Sequence, residues 1–139
     1  MSLVPELSVT DFEKSLAFYT TILGFRVDYQ RIEEGFAFLS LGDAKIMIDT
    51  VGKGRILAVG KLEYPLGRGV NLQIEIAHVD SLLHTLKAHQ ISLFIDLEEK
   101  HYRKNGKYIC QRQFWVRDPD GYLLRFVEKI DCFHATNMT

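Results

Sequence analysis

Five histidines, His78, His84, His89, His101 and His134, are the first residues to test for metal or acid–base chemistry. A zinc-binding pair on one helix needs i, i+4 spacing, and His84 and His89 stand five apart, so they diverge around a helix. Solvated surface histidines are the plainer reading. Asp118 and Asp120 offer the two carboxylates that acid–base work requires, yet they flank Pro119 ahead of Gly121, which is turn chemistry. Ser8 has no histidine beside it to act as its base. Cys110, at the start of a strand, reads as an ordinary, partly buried thiol. No catalytic residue and no metal ligand emerges from this set.

A second set is more suggestive. Phe36, Phe38 and Trp115 alternate with strongly apolar positions, and so do Glu6, Ser8, Lys45, Met47, Gln73, Glu75 and Arg125. Aromatic residues mixed with charge fit a ligand cleft, where rings stack and polar groups fix orientation. Packing of two curved sheets against each other would also account for the three rings. The charges on the same face argue against a dry core, because burying an unpaired charge is costly. Arg125 can pair with Glu75 or Glu6, or it can anchor a carboxylate or phosphate of a ligand; both readings stay open.

The elements that must position these residues follow from periodicity. Pro5 to Val9 alternates as a half-buried strand does. Thr10-Asp11 supplies a helix N-cap, Phe12, Leu16, Tyr19 and Leu23 recur at helical spacing, and Gly24 ends the helix. Strand-like runs follow at 25–29, 35–41 and 44–49, the last two joined by Gly42-Asp43. The chain from 51 to 69 reads as a linker. The same order then resumes: a strand over 71–76, a helical stripe of Val79, Leu82, Leu83 and Leu86, a strand over 92–97, and a polar loop through 100–107. Strands over 109–117 and 122–127 are joined by Asp118-Pro119-Asp120-Gly121. Shifting the sequence by 67 residues lays Glu6–Val9 onto Gln73–Ile76, and both halves read β-α-β-β-β.

Each half is a four-stranded sheet with a single helix, which can cover only one face. Leu7, Val9, Leu39, Leu41, Ile46, Ile48, Leu72, Ile74, Phe114, Val116, Leu124 and Phe126 are expected beneath the helices. The fold class is α+β, with modules at 1–50 and 70–130, the linker at 51–69 and a polar tail at 131–139. Met1-Ser2-Leu3 reads as a cloning leader.

Composition sets the remaining bounds. The chain has 139 residues, 47% hydrophobic and 25% charged, an ordinary globular mix. Seventeen basic residues against eighteen acidic ones give a net charge of −1 with no basic run, which disfavours a nucleic-acid partner. No apolar stretch reaches the ~18 residues of a membrane span, and no secretion signal is evident. Two cysteines without CxxC spacing point to reduced thiols and a cytoplasmic setting.

Four stretches resemble the vicinal oxygen chelate superfamily, which includes glyoxalase I, extradiol dioxygenases and the fosfomycin and bleomycin resistance proteins. They are Leu7-Ser8-Val9-Thr10-Asp11 running into Ser15-Leu16-Ala17-Phe18-Tyr19, then Leu23-Gly24-Phe25, then Ile74-Glu75-Ile76 before Val79-Asp80, and lastly Phe114 through Tyr122. The last stretch looks most like the bleomycin resistance branch. The resemblance implies two βαβββ modules forming a cupped mixed sheet, in a homodimer that can exchange modules. The superfamily's four metal-ligand positions fall at Val4, near Met47, at Asn71 and at Arg125, none of which suits a divalent cation. The implied protein needs no cofactor and sequesters a small molecule, bleomycin-like or otherwise aromatic. Phe36, Phe38, Met47, Asn71, Gln73, Glu75, Trp115 and Arg125 would line its site. The alternative is a metal-independent lyase, isomerase or dioxygenase-type enzyme with Glu75 or Glu6 as general base.

Overall fold

The computed structural model describes residues 2–52 and 60–132. The first half runs β1 (Glu6–Val9), α1 (Phe12–Ala17), a π-helical turn (Phe18–Ile22), β2 (Arg26–Arg31), β3 (Phe36–Leu41) and β4 (Ala44–Thr50). The second runs β5 (Asn71–Glu75), α2 (Val79–Ala88), β6 (Ile95–Lys104), β7 (Lys107–Arg117) and β8 (Leu123–Ile130). Each half makes a mixed four-stranded sheet. The strand orders, β1-β4-β3-β2 and β5-β8-β7-β6, are the same topology twice.

Two compact units result. One takes the chain up to Arg68 together with Asp118–Tyr122, the turn joining β7 to β8; the other takes Gly69–Arg117 and the chain from Leu123 onward. Within the linker expected at 51–69, residues 53–59 lie outside the described residues, as do 133–139 of the tail, including His134.

Register decides which side chains share a face. In the first sheet Leu7 pairs with Ile48, Ile48 with Ala37 and Leu39 with Ile46, and all of these are buried on one side. In the second, Leu72 pairs with Leu124, Ile74 with Phe126, Phe126 with Phe114 and Leu124 with Val116. The rings of Phe114 and Phe126 stack at 5.5 Å. The predicted apolar set therefore holds its face, because a period-2 pattern survives errors in strand boundaries as long as parity is kept.

Three expectations need correcting. The first helix is regular only to Ala17: the N–H of Leu23 reaches back to the Phe18 carbonyl at 3.0 Å, an i→i−5 bond, while Thr20 Oγ1 donates to the Leu16 carbonyl at 2.7 Å. The polar stretch expected as a loop over 100–107 is mostly strand. β6 runs to Lys104 as the sheet's edge, where charged side chains are favoured, and it turns at Asn105-Gly106 with φ of 52° and 77°. Cys110 is not a free thiol. It is joined to Cys132 in a disulfide, with Cα atoms 5.1 Å apart, which removes the argument from reduced thiols to a cytoplasmic setting.

Candidate functional site

Asp118 and Asp120, the pair set aside as turn residues, are 3% and 4% exposed and act as acceptors within the first unit. Asp118 Oδ1 accepts the N–H groups of Asp120 and Tyr122, each at 2.9 Å, so the turn closes on its own side chain. Its Oδ2 accepts the hydroxyl of the fully buried Tyr19 at 2.6 Å. Burial pushes the Asp118 carboxyl up to about 6, against the lowering effect of those three hydrogen bonds. Burial, with Asp118 beside it, also holds the Tyr19 hydroxyl well above its ordinary value.

Asp120 accepts from the Thr10 N–H at 3.1 Å and from Thr10 Oγ1 at 2.6 Å, and the Tyr122 hydroxyl donates to the Ser8 carbonyl at 2.9 Å. The carboxylates are spent on holding the β1–α1 junction. They are a brace, and turn chemistry alone did not reveal where their second oxygens go.

On the first sheet's face away from α1, Phe38 pairs with Met47, Met47 with Glu6, and Phe36 with Asp49. The two phenylalanines are engaged within this unit. Phe38 stacks on Tyr29 at 5.1 Å, Phe36 lies 6.0 Å from the same ring, and the Arg31 guanidinium sits 4.1 Å over Phe36. Tyr29, missed at the sequence level, completes this aromatic group. Its parity was obscured by a register shift between Val27 and Tyr29.

The second sheet's corresponding face is polar. Gln73 pairs with Arg125, and Arg125 with Trp115. The Arg125 guanidinium lies 5.0 Å over the Trp115 ring, a cation–π arrangement. Trp115 Nε1 and Arg125 Nε are both buried and neither finds an acceptor among the described residues. A buried donor left unpaired costs about 1–3 kcal/mol. Alongside runs a chain of hydrogen bonds: Lys129 Nζ donates to Gln111 Oε1 at 2.8 Å, Gln111 Nε2 to Gln113 Oε1 at 2.8 Å, and Gln113 Nε2 to Glu98 Oε1 at 2.9 Å. Gln111 and Gln113 have the same strand parity as Trp115, which was the available signal for them.

Asn71, Gln73 and Glu75 are exposed on β5, and Glu6 is exposed on β1. Among the described residues no hydrogen bond or ion pair joins Arg125 to either glutamate. The described histidines are exposed. The residues that the resemblance sets at metal positions are not donors suited to a divalent cation. Val4 offers no donor, Met47 a thioether and Asn71 one amide, and Arg125 brings a positive charge stacked on an indole. Among the described residues no group of three His, Cys, Asp or Glu is placed to hold a metal.

Comparison with known proteins agrees with this architecture. A bleomycin resistance protein of Geobacillus stearothermophilus is 26% identical over 135 residues, covering 91% of this chain and 96% of that protein. The crystal structure of TioX from Micromonospora sp. ML1 matches with a TM-score of 0.70 at 22% identity, covering 94% of this chain and 99% of that one. A glyoxalase/bleomycin resistance protein/dioxygenase from Alicyclobacillus acidocaldarius matches with a TM-score of 0.62 at 18% identity, covering 94% and 92%. Residues 3–126 match the family as a whole. This chain belongs to the glyoxalase/bleomycin resistance protein/dioxygenase superfamily.

Proposed function

We propose that the protein binds an aromatic or amphipathic small molecule and sequesters it without chemical change. The observation that carries this reading is the Trp115–Arg125 pair. A stacked ring and guanidinium lie on the sheet face opposite Leu72, Ile74, Phe114 and Phe126, and two buried donors there lack acceptors among the described residues. A flat ligand bearing an acceptor would satisfy both donors and extend the stack, offsetting a cost the free protein carries. The curated relatives are named for bleomycin resistance. A net charge of −1 gives little steering of a cationic glycopeptide, so the reading extends to other aromatic ligands. Asn71, Gln73 and Glu75 of the same unit are proposed as further contacts, Phe36, Phe38 and Met47 of the first unit as ligand contacts on their own sheet face, and the protein as a homodimer.

Trp115 is the chain's single tryptophan, so its fluorescence reports on the site alone. The protein is titrated with metal-loaded bleomycin and a panel of flat aromatic compounds, and bound ligand is recovered for mass spectrometry. Saturable perturbation of Trp115 at about one site per chain, with ligand recovered intact, is the expected result. Recovery of a converted product overturns sequestration. Calorimetric and fluorescence silence across the panel overturns the site.

A further inference from the structure

Arg125 also lines an open groove of about 320 Å³ within the second unit, together with Gln73, Tyr102, Arg103, Lys104 and Lys129. Four of the eight residues that line the groove are cationic and none is acidic. The positive charge is not consumed locally. Lys129 donates to a neutral amide, Gln111, and Arg125 rests on an indole. No salt bridge among the described residues engages Arg103, Lys104, Arg125 or Lys129, although ion pairs occur elsewhere on the same unit, at Arg112–Asp80 and Lys100–Glu98. Four cations around one concavity in a chain of net charge −1 are a local asymmetry that composition conceals. Such a wall repels a cation and draws in an anion, with field lines focused by the groove.

We propose that this groove draws in the anionic oxygens of the ligand, so that the preferred ligand is an aromatic acid, carboxylate or phosphate, held with its ring toward Trp115 and its charge on Arg125, while Arg103, Lys104 and Lys129 line the same groove and add to its positive field. The inference rests on the reading of Trp115 and Arg125 as a ligand site and adds the sign of the ligand's charge. Arg125 belongs to both parts: its guanidinium lies 5.0 Å over the Trp115 ring and it lines the groove. Its planar fork suits the paired oxygens of a carboxylate or a phosphate.

Matched probes test this: 1-naphthoate, 1-naphthyl phosphate and the neutral 1-naphthamide, each titrated against Trp115 fluorescence at low and at near-physiological salt. The acids are expected to bind at least tenfold more tightly than the amide at low salt, with the ratio shrinking as salt screens the groove. The double variant R103Q/K104Q is expected to lose most of that preference while binding the amide as the wild type does. The order of the two acids tells a carboxylate site from a phosphate site. Equal binding of acids and amide overturns the charge assignment and leaves the stacking site standing. Binding of none of the three overturns both.

Discussion

The two modules place a hairpin turn at the same point of the same topology, and they use it differently. Between β3 and β4 the turn is Gly42-Asp43, two exposed residues that only reverse the chain. Between β7 and β8 it is Asp118–Tyr122, a turn that belongs to the first unit and buries Asp118, Asp120 and Gly121. There Asp118, Asp120 and Tyr122 engage Tyr19, Thr10 and Ser8. The sheet faces diverge too. The first carries rings that stack on one another, with Tyr29 on Phe38, whereas the second holds two buried donors that lack acceptors among the described residues. Duplicated topology therefore fixes where a turn or a face lies, and the side chains decide whether a turn braces the fold and which groups a face presents.

The sharpest way to break the comparison is Asp118→Ala. It strips acceptors from the Tyr19 hydroxyl and from two backbone N–H groups in a buried site. The expected loss is about 3–5 kcal/mol, from several unpaired buried donors together, read as the shift in urea midpoint. Gly121→Ala is expected to be comparably severe: at φ of 93° its Cβ would lie 2.6 Å from Pro65 Cα, a backbone atom that cannot swing away. Next comes the disulfide, which closes a loop of sequence separation 22 at the far end of β7. Cys132→Ser is expected to cost about 3 kcal/mol if chain entropy dominates. Added reductant should lower the wild-type midpoint to that of the variant and leave the variant unchanged.

The fold was legible because it needs only parity and punctuation. Leu7, Val9, Ile46 and Ile48 alternate cleanly, and Gly24, with φ of 89°, stands where a helix ends. What stayed hidden depends on distance in sequence. Nothing within 118–122 points to Thr10 or Tyr19, about a hundred residues away, and nothing near Cys110 points to Cys132. β6 was cut short for a different reason: an edge strand wears the polar residues of a loop, and Asn105-Gly106 was the cue that distinguished them. Of the expected ligand residues, Trp115 and Arg125 meet as stacked partners, the sort of contact parity can foresee. The basic groove beside them was obscured by an overall charge near zero.

A pH titration sharpens the comparison further. The folded-state pKa of Asp118 is raised to about 6 from an ordinary 3.8, so folding favours its protonated form. Its contribution to stability is therefore fully present below about 4 and is lost as pH rises through 6. At neutral pH the deficit is of order 2–3 kcal/mol by the shift alone. Carboxylates held low, Asp28 and Asp80, push the other way on acidification, so the test is a difference. Asp118→Asn keeps an acceptor for the two N–H groups and stays neutral. The wild type is expected to gain stability relative to this variant between pH 7 and pH 5; a constant gap over that range would refute the raised pKa.

The smallest expected effect is the control on the whole comparison. Asp43 occupies the first module's counterpart turn, and in the structure its side chain holds no hydrogen bond or ion pair among the described residues. Asp43→Ala should therefore change stability by no more than about 0.5 kcal/mol, as exposed substitutions away from special features do. The adjoining Gly42, with φ of 57°, carries the conformational demand of that turn, so the aspartate is not needed for the reversal. A loss at Asp43 approaching that of Asp118→Ala would mean that both turns brace their surroundings. The difference between the modules would then have to be sought in their faces alone, where rings stacked on one another stand against two buried donors that lack acceptors among the described residues.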